Sequence, residues 1–325
     1  MTYVRKDWLD RLGMDVPTTY DEFIEMLTRF KNEIPECTAP YTAPGLKSTQ
    51  ALPEFYQGAT ADYVKVDGKW VDGMAQDNML TALQNLQDAY TAGLIDQEAI
   101  TNTTSSCRDE WYAGTVGCFP YWGGLWGETL TVRLKQNVPD AEVIALPPIE
   151  GATYLYSAPS VQVISSKLSD EQVASVYKYF IEYMHDGGEG QVLFQSGVEG
   201  VHWQQSGNNI DPLPTISKPA EAFRKAWITP WLALTPMTAT DKNVEVSQEV
   251  TDSLAVVSAN AKNISVFPVS EQRTMITSDL TTTRENIISR VAMGQLTPEE
   301  GMAEYKAQAE TLNVAQALEE MNANA

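Results

Sequence analysis

Histidine is almost absent from this chain. Its 325 residues include two, His185 and His202. That rules out a His-rich zinc site and any mechanism that needs several imidazoles. Cysteine is nearly as scarce. Cys37, Cys107 and Cys118 have no metal-ligand spacing, and an odd count leaves at least one thiol free unless chains cross-link. Cys107 and Cys118 are candidates to pair, but burial as small apolar residues is the expectation. Positive charge is the third shortage: 22 Lys and Arg stand against 43 Asp and Glu, for a net charge of −21. Nucleic acid is excluded as a partner, because phosphate binding needs cationic side chains to displace counterions. The same balance argues against an anionic membrane surface, and the acidity is read as keeping the chain soluble. No run approaches the roughly 18 consecutive apolar residues of a membrane span. Residues 1–10 lack the apolar segment of a signal peptide, which taken literally places the chain in the cytoplasm.

Catalytic motifs are also missing. The sequence has no GxSxG elbow, phosphate loop, HExxH or CxxC. Asp67, Asp72 and Asp77 lack the spacing of an EF-hand, so calcium is not expected. No cofactor and no metal is predicted. The 43 acidic residues leave a carboxylate pair for glycoside hydrolysis open.

What is present is an ordinary soluble composition, 43% hydrophobic and 20% charged, long enough for two domains. Helical stripes are the clearest signal. Thr19 and Glu22 form a capping-box pair ahead of Phe23, Met26, Leu27, Phe30 and Ile34. Met79, Leu83, Leu86 and Tyr90 make a second stripe that Gly93 is placed to end. Ser169 and Gln172 cap a third, with Val173, Val176, Tyr177, Phe180, Ile181 and Met184 at helical spacing. Thr297, Pro298 and Glu300 open a fourth. All four stripes are predicted to face a core. Strands are predicted over 115–120, 142–146 and 160–165. Strands interleaved with long helices imply an α/β protein with a largely parallel sheet. Residues 206–219 read as a surface loop, and 241–267 give no clear signal.

Several segments, in order, resemble the family-one extracellular solute-binding proteins of bacterial ABC importers, in their oligosaccharide lipoprotein branch. They are TYVRKDWLDRLGMDVPTTYDEF (2–23), DGKWVDG (67–73), LQNLQDAYTAGLID (83–96), GTVGCFPYWGGLW (114–126), VISSKLSDEQVASVYKYFIEYM (163–184), SGVEGVHW (196–203) and IISRVAMGQLTPEEGMAEY (287–305). The resemblance implies a periplasmic-binding-protein-like (type II) clamshell, in which two α/β lobes joined by hinge strands close on a ligand. It implies a C-terminal lobe nearly complete, built from 1–157 and 211–325, and a partial N-terminal lobe with hinge over 158–210. In the family the opening segment lies well inside the protein, so an export signal and much of one lobe are expected to precede it. A lobe without its first strands would expose edges and apolar faces.

Aromatic residues carry the candidate site. Sugar rings present flat C–H faces to Trp or Tyr, and their hydroxyls need polar partners. Trp111, Tyr121, Trp122 and Trp126 cluster around Gly123 and Gly124, and a glycine-flanked tryptophan at a strand end lies on a loop, where function concentrates. The family's loop at this point commonly supplies a stacking aromatic, and Trp122 is the positional match, with Tyr121 and Trp126 beside it. The competing reading is that these rings fill the core. Tyr154 and Tyr156 precede a presumed hinge at 157–160. Alternation turns one of the pair toward the cleft, and Tyr154 is taken as the candidate. Trp203 and Glu199, in the SGVEGVHW loop, complete the ligand set. His202 is expected to be structural, Trp227 and Trp231 to be core residues, and Glu128 and Asp109 to be acceptors only if they face the sugar.

The expected function is non-covalent binding of a carbohydrate, an oligosaccharide by preference, by a component that docks on ABC permease membrane subunits. The expected location is extracytoplasmic, on a cell-surface lipoprotein or in a periplasm. A glycan-active enzyme using Asp or Glu pairs, and a truncated interaction module, are the alternatives.

Overall fold

A computed structural model describes residues 1–156, 161–213, 234–264 and 266–325. The expected hinge at 157–160 and the tryptophans Trp227 and Trp231 lie outside the described residues. In chain order the elements are β1 (Thr2–Arg5), α1 (Lys6–Leu12), α2 (Tyr20–Glu33), β2 (Ala39–Tyr41), α3 (Pro53–Tyr56), β3 (Tyr63–Val66), β4 (Lys69–Asp72), α4 (Asn78–Thr91), α5 (Thr104–Ala113), β5 (Val116–Pro120), α6 (Leu125–Lys135), β6 (Val143–Ala145) and β7 (Leu155–Tyr156). They continue with α7 (Asp170–Val176), a π-helical stretch (Tyr177–Glu182), α8 (Glu189–Ser196), β8 (Trp203–Ser206), β9 (Asn209–Pro212), α9 (Gln248–Asn260), β10 (Lys262–Asn263), α10 (Glu271–Ala292), α11 (Pro298–Thr311) and α12 (Val314–Ala323). The chain divides into two compact units, one formed by Met1–Ala158 with Gln248–Ala325, the other by Pro159–Ser247.

The first unit is built on a four-stranded sheet of order β2-β5-β1-β6. β2 and β5 are parallel, but β1 is antiparallel to both β5 and β6. The sheet is therefore mixed rather than largely parallel. Two helices, α1 and α2, separate β1 from β2, and the chain returns to the end of the sheet where β1 finished. β2 then runs the other way.

Both sheet faces are covered. The cross-strand pair Tyr3 and Phe119 packs with Trp111, Leu130 and Leu134 on one side. The next pair, Val4 and Cys118, packs with Trp8, Phe23, Phe30 and Tyr41 on the other. The predicted stripes explain the larger core. The capping box of Thr19 and Glu22 is formed, and Phe23, Met26, Leu27 and Phe30 are buried. Met79, Leu83, Leu86 and Tyr90 are buried along α4, and Thr297 with Glu300 caps α11. The three cysteines are free thiols, with Cys107 and Cys118 buried.

A buried ionic cluster ties the β3–β4 hairpin to the last helices. Arg284 of α10 reaches Asp72 Oδ1 at 2.7 Å, and its Nε donates to Tyr305 Oη at 3.2 Å. Tyr305 in turn donates to Asp72 Oδ2 at 2.6 Å. Arg284 and Asp72 are 3% and 5% exposed, so each charge depends on its partner there.

The second unit departs from the sequence reading in four ways. The capping box of Ser169 and Gln172 forms, yet no residue of Asp170–Glu182 is buried. Tyr177, Tyr179 and Phe180 are exposed, and of the predicted stripe Met184 alone is buried. Helical spacing identifies an apolar face but does not supply the layer that covers it, and no described element buries this one. Residues 161–165 form no strand, with Val161 and Val163 exposed, because no described neighbour pairs with them. Part of the predicted 206–219 loop is instead strand β9, paired antiparallel with β8. The expected boundary at 210 falls inside the unit, which runs on to Ser247. Ile210 donates its backbone N–H to Asn243 O at 2.9 Å, and Met237 and Val244 pack with Val192, Trp203 and Ile210.

Candidate functional site

The aromatic loop is held at the end of β5. Gly124 serves as N-cap of α6 with φ 70° and ψ −131°, a backbone region that essentially requires glycine. Two side chains pin the loop from beneath. Tyr3 Oη of β1 donates to Trp122 O at 2.9 Å. Ser253 Oγ of α9, fully buried, accepts from Gly124 N–H at 2.8 Å. The helices α6 and α9 meet closely, since a Cβ on Gly127 would stand 2.8 Å from Glu249 O. On this support the Trp122 side chain is 57% exposed. A large indole held out on an ordered loop is poised to stack on a flat partner.

The neighbouring rings turn the other way. Tyr121 stacks on Phe119 at 5.1 Å and meets Trp126 edge to face at 4.7 Å. Both are partly buried against the Trp111 cluster. The Arg108 guanidinium of α5 lies over the two rings, 5.9 Å from the Tyr121 centroid and 5.5 Å from that of Trp126. Sequence reasoning missed Arg108, since its ring partners Tyr121 and Trp126 lie beyond any helical spacing from it. Trp111 itself is fully buried, its indole donating to Leu130 O at 3.3 Å.

The remaining candidates are not brought to this loop. Tyr154 is 2% exposed, and its hydroxyl donates to Leu146 O at 2.9 Å and lies 3.2 Å from Glu54 Oε1. It belongs to the core, while Tyr156 is the exposed member of the pair. Alternation separated the two tyrosines but gave no sign of which was buried. Trp203 is 3% exposed and donates to Gly197 O at 2.9 Å, which makes it a core residue of the second unit. Glu199 is exposed on that unit's loop. His202 is buried and its Nδ1 accepts from Val198 N–H at 2.9 Å, the structural role expected.

Glu54 is the other residue the sequence hid. It is fully buried, with Thr2 Oγ1 at 2.7 Å, Tyr154 Oη at 3.2 Å and Tyr41 Oη at 3.1 Å. Burial pushes its carboxyl above the ordinary value of 4.5, and the hydrogen bonds from Thr2 and Tyr41 pull in the opposite direction. A cavity of about 330 Å³ is lined by Tyr3, Gly127, Thr131, Ala145, Glu249 and Asp252 among others. Among the described residues no group of three or more His, Cys, Asp or Glu could hold a metal ion, and no helix is long and apolar enough to cross a membrane.

Residues 1–184 match the bacterial extracellular solute-binding protein family. The chain belongs to that family. Lipoprotein LipO of Bacillus subtilis is 22% identical over 218 residues, which are 62% of this chain and 43% of LipO. The fructooligosaccharide ABC transporter substrate-binding protein FusA of Streptococcus pneumoniae is 30% identical over 134 residues, 38% of this chain and 25% of FusA. The match thus spans less than half the length of either relative. Among solved structures, alginate-binding protein AlgQ2 without calcium ion superposes on 99% of this chain and 71% of its own, with TM-score 0.70 at 18% identity. FusA of S. pneumoniae in complex with kestose superposes on 99% and 70%, with TM-score 0.66 at 18% identity. The fold is accordingly the α/β fold of periplasmic-binding-protein-like solute-binding proteins.

Proposed function

We propose that this chain binds an oligosaccharide without chemical conversion, as the solute-binding component of an ABC importer. In this reading it works outside the cytoplasm, as a lipoprotein or periplasmic protein, and delivers its ligand to the permease subunits in the membrane. The observation that carries the reading is Trp122, an exposed indole on a loop fixed by Tyr3 and Ser253. An apolar ring face held rigidly in water gains by covering a sugar's C–H face, and little conformational entropy is lost on binding. The family, and relatives whose names specify fructooligosaccharide and alginate, support carbohydrate as the ligand class. Isothermal calorimetry against fructo-, gluco-, galacto- and uronate oligosaccharides tests it. Stoichiometric binding that Trp122→Ala weakens tenfold or more is the expected result. Heat from no sugar, or undiminished binding by the variant, overturns it.

A further inference from the structure

We propose that Arg108, over Tyr121 and Trp126, forms a subsite for a sugar carboxylate, so that the chain prefers acid-bearing glycans of the uronate class. The proposal rests on the carbohydrate reading above and narrows it. Its first support is the surroundings of this arginine. Acidic residues outnumber basic ones 43 to 22, and Arg5, Arg11, Arg29, Arg284 and Arg290 each have a carboxylate partner. Among the described residues Arg108 has no such partner, nor do Arg133 and Arg273, and of these three Arg108 is the one that lies over two rings. Its one described hydrogen bond is to a neutral group, from Nη2 to Ser105 Oγ at 3.0 Å. In so acidic a chain, a cation with no ion pair to a described acid keeps its charge available.

The second support is how it is held. The rings beneath it continue a column from Trp111 through Phe119 to Tyr121, with Trp126 at the side. A guanidinium over ring faces is attracted by their negative quadrupole and restrained by the stack. Its N–H groups lie in its own plane and stay available to an acceptor. Two parallel N–H donors match the two oxygens of a carboxylate, and one positive charge matches its single negative charge. The partly exposed faces and edges of Tyr121 and Trp126 supply apolar surface for the ring that bears the carboxylate. The chain's overall negative charge does not oppose this at physiological salt, because fields beyond about 8 Å are largely screened and the local pair decides.

The experiment compares galacturonate, glucuronate and mannuronate trisaccharides with their carboxyl-reduced neutral counterparts, by calorimetry on the whole chain. The wild type is expected to bind at least one uronate trisaccharide tenfold or more tighter than its neutral form, and this preference should shrink between 50 and 300 mM NaCl. Arg108→Gln should bring the ratio to about one by weakening the acid alone. Arg108→Lys, which keeps the charge but loses the fork, should retain part of the preference. Melting curves establish that the variants are folded. Equal or tighter binding of the neutral sugars by the wild type, or a ratio unmoved in Arg108→Gln, overturns the proposal while leaving carbohydrate binding intact. Binding of no sugar at all overturns both.

Discussion

Ser253 and Gly124 are 129 residues apart, yet the Ser253 hydroxyl accepts the Gly124 N–H at 2.8 Å, while its own proton faces the carbonyls of Val250 at 3.0 Å and Gly124 at 3.3 Å. The helix that carries Ser253 is the first element after the second unit. The loop presenting Trp122 therefore depends on a part of the chain made much later. Ser253→Ala leaves a buried N–H without its acceptor, at a cost of roughly 1–3 kcal/mol. A melting temperature lowered by several degrees, together with weaker sugar binding, is expected. Gly124→Ala forces a side chain into the strained φ of 70° and should act in the same direction. Unchanged affinity in both variants would show that the loop holds its shape without this anchor.

Two of the three tryptophans of the expected ligand set, Trp122 and Trp203, should separate cleanly. Trp122→Ala removes an exposed ring and should leave stability within about 0.5 kcal/mol while sugar affinity falls. Trp203→Ala empties the small core of the second unit and should cost about 3–5 kcal/mol. Urea melts monitored by circular dichroism, beside calorimetry on the same samples, distinguish the two. Equal stability losses would contradict the burial difference.

That contrast also shows what the sequence could reveal. The stripes of α2 and α4 were readable because 3.6-residue periodicity reports directly on which side is apolar, and a core does cover those sides. The stripe at 173–184 has the same periodicity, and among the described residues Met184 is its one buried member, since a stripe records a residue pattern and not the presence of a second layer. Trp122 and Trp203 look alike as letters, each following or preceding glycine-rich turns, and only tertiary contacts divide them. Arg108 and Glu54 were illegible for a different reason. Their roles come from residues brought together across 13 to 100 positions, a distance over which no local pattern operates.

Glu54 should make stability depend on pH in a defined direction. Its folded-state carboxyl titrates above the ordinary 4.5, so the folded chain holds the proton more tightly than the unfolded one. The stabilisation is complete below the unfolded value and is lost as pH rises through the folded one. Thermal melts from pH 4 upward should show the wild type losing stability relative to Glu54→Gln across that interval, with the two curves parallel above it. Parallel curves throughout would mean that folding leaves the Glu54 carboxyl unshifted.

The buried Arg284 cluster should not tolerate loss of one partner. Asp72→Asn leaves the guanidinium without its fully buried counter-charge, with Asp62 Oδ1 still 3.3 Å away at the surface. A loss of about 3–5 kcal/mol is expected, read as a shifted urea midpoint. Replacing Arg284, Asp72 and Tyr305 together with apolar residues should cost less than the single change.

The same cluster bears on how the chain is made. Arg284 and Asp72 are separated by 212 residues, and synthesis proceeds at about 5–20 residues per second. The β3–β4 hairpin must therefore wait for roughly ten seconds or more before its partner emerges from the ribosome. During that interval the whole second unit, with its tyrosine-rich helix, is synthesised while the first unit remains unfinished. The period of greatest exposure to misassembly thus falls late in translation. A chaperone able to bind nascent apolar surface would be needed most between the emergence of Asp72 and that of Tyr305.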